Sequence, residues 1–262
     1  MTMTMMGRDL RFALRSFKRA PGFTFVAVLT LALGIGATTT MFSVLDAVVL
    51  RPLPYNNPAE LVMVGSSSQR FPGLAPVAPG DLFDWREQNT TFSHMIAAEG
   101  WTLDLTDMDQ PVRISSGAVS GGFFEMLGVP PMLGRGISLE DDIAGSEPVL
   151  VLSHGLWERR YGSDPAVIGS RVTTADRTFT VVGVMPESFV NPEALWSVDI
   201  EMWFPTAHTG SNMTTRNGRF LQVMGRLNPD VSLFQARQEM TAIATALAEE
   251  YPGNVGRETL IE

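Results

Sequence analysis

The stretch that most constrains this chain is residues 23–45, which contain no charged side chain. A helix rises about 1.5 Å per residue, so about 20 apolar residues cross the roughly 30 Å hydrocarbon core of a bilayer. A helix buried in a soluble protein rarely stays uncharged on every face over such a length. Because the apolar run continues past Asp46 to Leu50, the sequence predicts a membrane-spanning helix over residues 23–50.

The charges on either side of this stretch predict its orientation. Residues 1–22 carry five basic side chains against Asp9 alone, whereas residues 51–262 carry 14 arginines and 26 acidic side chains. Basic residues beside a spanning helix stay on the cytoplasmic side. We therefore expect a cytoplasmic N-terminus and a domain at 51–262 in the periplasm, anchored in the bacterial inner membrane. The absence of cysteine fits such an envelope domain.

A cleaved signal peptide is the alternative interpretation of the N-terminal region. The apolar part of a signal peptide is normally about 7–15 residues long and ends at a small-x-small cleavage site. Here the run is longer, and Ala37-Thr38-Thr39 is a poor cleavage site. The sequence favours a retained anchor.

The segment before the spanning helix is basic and amphipathic. Leu10, Ala13, Leu14 and Phe17 recur at helical spacing, so residues 7–19 are predicted to form a helix at the inner membrane surface, within a cytoplasmic segment 1–22. Pro21-Gly22 is predicted to break it from the spanning helix. Its polar face is predicted either to contact anionic lipid or to dock a cytoplasmic protein, and carries Arg11, Arg15, Lys18 and Arg19.

Small residues recur every four positions inside the spanning stretch, at Ala32, Gly36 and Thr40. In lipid, such a stripe lets a second helix approach closely. These three positions are therefore predicted to form a helix-packing face.

Residues 51–262 alternate short strand patterns with helical ones, which predicts an α+β fold. Two β-α-β units, at 51–111 and 218–262, are predicted to form a split, ferredoxin-like lobe around an inserted strand-rich lobe at 112–217. A capping box is expected at Ser232 and Gln235, ahead of a helix with one apolar face. Three details are predicted as well: a loop at 66–79, separate strands at 92–98 and 101–105, and an edge strand at 199–204.

No residue pattern predicts catalysis, a cofactor or a metal. His94, His154 and His208 lack metal-ligand spacing, and Glu140-Asp141-Asp142 is predicted to be a solvated loop or helix start. Lys18 is the chain's sole lysine and lies outside a P-loop frame, which excludes ATP binding by that route. The acidic outer part argues against nucleic acid.

Seven sequence blocks together resemble the MacB/FtsX-type family of ABC transporter permeases. They cover the spanning helix, the chain that follows it and most of the outer domain: PGFTFVAVLTLALGIGA at 21–37, RPLPY at 51–55, DWREQN at 84–89, VSGGFFEMLGVPPMLGRGISLEDD at 119–142, VLSHGLWERRYGSDPAVIG at 151–169, FTVVGVMPESF at 179–189 and GRFLQVMGRLNPDVSLFQARQEM at 218–240.

The resemblance implies a non-catalytic permease subunit. In that family a separate ATPase hydrolyses ATP at the inner face, the permeases form a dimer, and the first helix carries movement to a periplasmic core domain for export or envelope remodelling. The basic residues from Arg11 to Arg19 match the family's segment before the first helix, which implies a position near the ATPase.

The chain departs from that family at its C-terminal end, because members continue into at least three more membrane helices. The resemblance therefore implies either a fragment of a longer gene product or a truncated permease. Two other functions remain open from the sequence: a single-pass envelope binding module without a transport role, and an enzyme secreted after signal cleavage.

Overall fold

The computed structural model describes residues 20–45, 54–106, 111–211 and 214–262. The chain divides into two compact units, 1–53 and 54–262, each of which is described by itself.

The described residues of the first unit, 20–45, form one helix, α1, at Pro21–Leu45. Its stretch Pro21–Ser43 is long and apolar enough to cross a membrane, by length and composition, and none of it is buried. Pro21 and Gly22, predicted to lie before the spanning helix, form its first two residues, and the break from the helix predicted at 7–19 stays a prediction. Proline is tolerated in the first turn, where its missing N–H would have no helical partner. The predicted helix at 7–19, and residues 46–50 of the predicted span, lie outside the described residues.

The described residues of the second unit form four further α-helices and eleven strands. The helices are α2 (Pro79–Gln88), α3 (Phe123–Leu127), α4 (His154–Tyr161) and α5 (Leu233–Glu250). The strands are β1 (Leu61–Ser68), β2 (Phe71–Ala75), β3 (Phe92–Leu105), β4 (Val112–Val119), β5 (Leu133–Gly134), β6 (Val149–Leu152), β7 (Arg171–Thr173), β8 (Thr178–Val184), β9 (Met202–Pro205), β10 (Gln222–Leu227) and β11 (Arg257–Ile261).

The first and last strands form the split β-α-β arrangement that the sequence predicts. The order is β11-β1-β10-β3, and each neighbouring pair is antiparallel. Helix α2 lies between β1 and β3 in the chain, and β10 pairs between these two strands. Helix α5 connects β10 to β11, and β1 pairs between those two strands. The α+β fold class is confirmed.

The inserted strands extend this same sheet. The order continues from β3 through β4, β9, β6 and β8 to β5, with β2 paired to β1 and β7 paired to β8. Strand β3 is 14 residues long: its first part pairs with β10, and residues 98–105 pair with β4. The prediction of two separate strands at 92–98 and 101–105 is therefore wrong. The lobe boundaries at 111/112 and 217/218 remain a prediction.

Two further predictions are corrected by the pairing. The predicted loop at 66–79 contains the end of β1 and the whole of β2, which pair antiparallel. The predicted edge strand at 199–204 corresponds to β9, which lies inside the sheet between β4 and β6. All four residues of β9 are buried, so its weak alternation reflects burial on both faces and not an edge position.

Three apolar clusters fill the unit. One packs α2 and α5 on one face of the β11-β1-β10-β3 strands, and another packs α4 against β6, β8 and β9. The third joins the β11-β1-β10-β3 strands to the inserted segment, since it combines Met63 and Ile96 with Phe123, Phe124 and Trp203. Phe124 and Trp203 meet edge to face at 5.6 Å. We call this third cluster the shared core.

The capping box predicted at the start of α5 is confirmed. Ser232 Oγ accepts from the Gln235 N–H and the Gln235 side chain accepts from the Ser232 N–H, which completes the capping box. Ser153 caps α4 from one side, since its Oγ accepts from the Leu156 N–H. The predicted apolar face of α5 is buried at Ala236, Met240, Ile243 and Leu247.

Candidate functional site

The residues singled out in the sequence fall into two groups. Arg11, Arg15, Lys18 and Arg19 lie outside the described residues. Ala32, Gly36 and Thr40 lie on α1, where a Cβ added at Gly36 would meet nothing within 4 Å. The Thr40 hydroxyl donates to the Gly36 carbonyl at 2.8 Å, which satisfies this polar group without water. The role of these three positions in helix packing stays a prediction.

The chain enters the second unit through residues 54–60, which we call the neck. Tyr55 in the neck is 7% exposed and belongs to the shared core. Its hydroxyl donates to the Val190 carbonyl at 2.9 Å, so the ring is held at both its apolar body and its polar tip. Burial, followed by the charge of Glu193, raises the pKa of Tyr55 to about 12. Tyr55 therefore remains a neutral hydrogen-bond donor at physiological pH.

Arg226 on β10 clamps the neck from the side. Its Nη1 donates to Glu60 Oε2 at 2.8 Å and to the Asn57 carbonyl at 3.3 Å, and its Nη2 donates to the Asn56 carbonyl at 2.6 Å. Its Nε donates to the Met126 carbonyl of α3 at 2.9 Å. A single guanidinium thus ties the neck to β10 and to α3.

Backbone contacts complete the attachment of the neck. The Asn56 N–H donates to the Leu127 carbonyl at 3.0 Å. Gly128, which ends α3, has a φ of 72°, and a Cβ added there would collide with the Asn56 side chain. Glycine is required at this position both by the left-handed backbone and by the close approach of the neck.

These contacts fix the neck to the rest of the domain. Tyr55 and Arg226 hold it to β10, to α3 and to the shared core. Sequence reasoning missed this site. The one available signal was Arg226 itself, a charged residue inside the apolar strand pattern VMGRL.

A second connection is made by Asp142, which joins three segments of the domain. Its carboxylate accepts from the Gly121 N–H at 3.1 Å, after β4, and from the Ala207 N–H at 2.8 Å, after β9. It also accepts from the Thr206 hydroxyl at 2.8 Å. Asp142 therefore fixes the loop that bears it to the ends of two neighbouring strands.

The adjacent Asp141 is buried, at 8% exposure, whereas Asp142 is partly buried. It forms an ion pair with Arg135 and accepts from the Ser138 N–H at 2.8 Å. The prediction of a solvated acidic loop at 140–142 is wrong for both aspartates, because backbone N–H groups and an arginine replace the water that a carboxylate would otherwise need.

A groove lies beside this connection, against α2. Two neighbouring cavities of about 460 and 380 Å³ share Arg86, Ser120 and Asp142 in their walls. Arg86 is held in the wall of both cavities, since its Nε donates to the Met95 carbonyl at 2.9 Å and its Nη2 to Ser120 Oγ at 2.8 Å. Burial lowers the pKa of Arg86, and the charge of Asp142 acts in the opposite direction. Exposed Phe83 and Leu139 line the groove.

His208 is buried beside Asp141 and Asp142, at 7% exposure. Its Nε2 lies 3.1 Å from Ser146 Oγ, whose proton goes to the Asp141 carbonyl, so the imidazole nitrogen is the donor in this pair. Burial lowers the pKa of His208, and the charge of Arg177 acts in the same direction. The charges of Asp142 and Asp141 act in the opposite direction but do not cancel this lowering.

We expect this histidine to make stability depend on pH. Because the folded protein holds His208 neutral below the ordinary histidine pKa of about 6.5, the free energy of unfolding should fall as the pH drops from 7 to 5. Urea unfolding of His208→Gln over this range should show a flatter profile than the natural chain. His94→Gln, at an exposed position, is the control. A His208→Gln profile parallel to that of the natural chain would contradict the assignment.

Comparison with known proteins gives one family and several solved folds. The sequence model of a family described as MacB-like periplasmic core domain matches residues 24–243. No curated protein matches the chain.

Three solved structures share the fold at low sequence identity. The periplasmic region of MacB from Actinobacillus actinomycetemcomitans aligns with a TM-score of 0.57 at 14% identity, over 78% of this chain and 88% of that one. A domain of a permease protein from Porphyromonas gingivalis aligns with a TM-score of 0.57 at 18% identity, over 80% and 90%. The extracellular domain of the ABC-type transporter YknZ from Gram-positive bacteria aligns with a TM-score of 0.56 at 13% identity, over 76% and 99%.

Proposed function

The chain belongs to the MacB-like periplasmic core domain family of ABC transporter permeases, and from this premise we propose that it transmits movement from the membrane to the periplasm. A separate ATPase drives the movement, α1 carries it across the inner membrane, and the domain at 54–262 uses it for export or envelope remodelling. The chain itself performs no catalysis in this mechanism.

The observation that supports this function most directly is the attachment of the neck. Tyr55 is held in the shared core by both its ring and its hydroxyl, and Arg226 binds the neck at three acceptors. A flexible tether would need none of these contacts. A neck held in this way makes the domain follow the chain that precedes it, as mechanical transmission requires.

The remaining parts of the mechanism rest on the sequence. Arg11, Arg15, Lys18 and Arg19 are proposed to lie on the cytoplasmic side, near the ATPase or anionic lipid. Ala32, Gly36 and Thr40 are proposed to pack against a second α1 in a permease dimer, since small residues at this spacing allow close approach in lipid.

Co-purification tests the ATPase partnership. The full chain, extracted from native membranes in mild detergent, should bring down a protein with ATPase activity. The pair Arg11→Gln and Arg15→Gln should reduce that activity at equal yield of the chain. The matched control is Arg70→Gln with Arg171→Gln, which removes the same charge at exposed positions of the domain. Loss of ATPase activity in both double variants alike, or no ATPase activity with the natural chain, would contradict the proposal.

The helix-packing face makes a separate prediction. Gly36→Ile should weaken self-association of the full chain in detergent by at least tenfold, because a branched side chain keeps the two backbones apart. Gly34→Ile, which makes the same change on the opposite side of α1, is the control and should leave association unchanged. Analytical ultracentrifugation measures both. Equal association of Gly36→Ile and the natural chain would remove Gly36 from the interface.

A further inference from the structure

A pocket unrelated to the neck lies where β1 meets its two neighbours β2 and β11. Ser68 on β1 is the direct register partner of Arg257 on β11 and of Phe71 on β2. Directly paired residues of antiparallel strands project from the same face of a sheet. These three side chains therefore form one row, and a cavity of about 270 Å³ opens beside it. We call this the arginine pocket; its wall includes Ser66, Ser67, Ser68, Phe71, Arg219 and Arg257.

One of the two arginines in the pocket is already paired. Arg219 Nη1 donates to Asp81 Oδ2 at 2.7 Å, and its Nη2 donates to Asn254 Oδ1 at 2.9 Å. Asp81 has other partners as well, because its Oδ1 accepts from Asn254 at 2.9 Å and from Arg216 at 3.3 Å. Asp81 thus forms ion pairs with Arg219 and Arg216.

Arg257 is in a different position. Its Nε donates to the Gly253 carbonyl at 3.2 Å, which orients the guanidinium but supplies no negative charge. Within the part of the chain that the structure describes, no carboxylate forms an ion pair with Arg257. The side chain is half-buried, and burial, followed by the nearby charge of Arg219, lowers the pKa of Arg257, while the charge of Asp81 acts in the opposite direction. A half-buried cation with a like charge beside it and no carboxylate paired to it is stabilised by an anion that reaches it.

The surroundings of Arg257 supply further groups that suit an anion. The Ser68 hydroxyl accepts from the Phe71 N–H at 3.3 Å, so its own proton is available to a ligand. The guanidinium of Arg70 lies 5.6 Å from the centre of the Phe71 ring and brings another positive charge to the rim. The Phe71 ring is 61% exposed and offers an apolar surface beside the charged end.

We propose that the arginine pocket binds a phosphate group, either of a small phosphoester or of a phospholipid headgroup. Arg257 presents a planar fork of donors, which matches a phosphate with two parallel hydrogen bonds. Ser68 donates a third hydrogen bond, and Phe71 contacts the apolar part of the ester. The cavity is smaller than the 300–1,000 Å³ typical of drug-sized ligands, which limits the occupant to a headgroup or a small metabolite.

Calorimetric titration of the full chain in uncharged detergent tests the proposal. Inorganic phosphate and dihexanoyl phosphatidylglycerol are the two probes, each titrated against sodium chloride of equal ionic strength. We expect at least one of them to bind with a Kd in the millimolar range or below. Binding of inorganic phosphate assigns the pocket to soluble phosphoesters. Binding of the short-chain lipid alone assigns it to a headgroup.

Three variants localise the binding. Arg257→Gln should weaken it at least tenfold, and Arg257→Lys should retain part of it, because the charge remains while the fork is lost. Arg171→Gln, an exposed arginine on β7, should leave it unchanged. The thermal midpoint of each variant shows whether the fold is kept; if Arg257→Gln unfolds, Ser68→Ala takes its place, with a smaller loss expected. The proposal is overturned if neither probe binds, or if Arg257→Gln and Arg171→Gln weaken binding equally.

Discussion

Replacing Arg226 with methionine is expected to lower the free energy of unfolding of the second unit by about 3–5 kcal/mol, because it removes four hydrogen bonds of a mostly buried guanidinium, each contributing about 1 kcal/mol. The Arg226 side chain is 11% exposed. Its removal leaves the carbonyls of Asn56, Asn57 and Met126 without their donor, and Glu60 without its counter-ion. Methionine fills a similar volume, so the loss comes from polar groups and not from a cavity.

The measurement is thermal unfolding of the full chain, followed by tryptophan fluorescence. At roughly 2–4 °C per kcal/mol for a domain of this size, the midpoint should fall by about 6–20 °C. Arg113→Met is the matched control: Arg113 also forms an ion pair, with Asp104, but its side chain is 75% exposed. Exposed pairs contribute little, so this variant should stay close to the natural chain. Equal losses in both variants would show that Arg226 is an ordinary surface arginine.

Arg226→Met also separates the proposed function from stability. Below its unfolding midpoint, the variant should be cleaved faster than the natural chain by a protease acting within residues 54–60, because the neck has lost its clamp. ATPase activity in the co-purified complex should persist, whereas the export or envelope remodelling that the domain drives should be lost. If Arg226 serves transmission, ATPase activity continues without the activity of the domain. If Arg226 has only a structural role, no such separation of the two activities is expected.

Asp142→Ala is expected to destabilise the second unit by about 3 kcal/mol, since a donor left without its partner costs about 1–3 kcal/mol. The substitution removes the acceptor of the Gly121 N–H, the Ala207 N–H and the Thr206 hydroxyl at once. Asp142→Asn keeps one acceptor oxygen and should lose less. Urea unfolding measures both variants.

The control for Asp142 is Asp176→Ala, at an exposed position of the turn between β7 and β8. It should change stability by no more than about 0.5 kcal/mol, as is usual for surface substitutions. Hydrogen exchange localises the effect: Asp142→Ala should raise exchange at Gly121 and Ala207 more than elsewhere in the sheet. Uniform exchange would mean that Asp142 does not connect these segments.

Local sequence signals predicted the helices well. Ser232 and Gln235 form the expected capping box of α5, and the predicted apolar face of α5 is the buried one. Such signals work because a cap or an apolar stripe depends on residues within about one or two helical turns.

The strands were harder to predict, and Gly100 shows why. In sequence it marks a break between two strands, but in the structure β3 runs straight through it and pairs it with Gly117 of β4. A Cβ added at Gly117 would lie 2.8 Å from Trp196 Cζ2, so the glycines leave room for an indole that packs across the sheet. No local pattern reveals that reason, because Trp196 comes from a distant part of the chain.

The sequence by itself determined the charge-free span of α1, the uneven distribution of charge around it, the α+β fold class and the family. Each of these depends on composition or on short-range order. Only the tertiary structure decided what Arg226, Asp141 and Asp142 do. The partners of Arg226 lie as far as 170 residues away and the farthest partner of Asp142 lies 65 residues away. Whether such a charge is solvated or buried and paired is decided by the segments that fold against it, and pairing with distant groups leaves no periodic trace in the sequence.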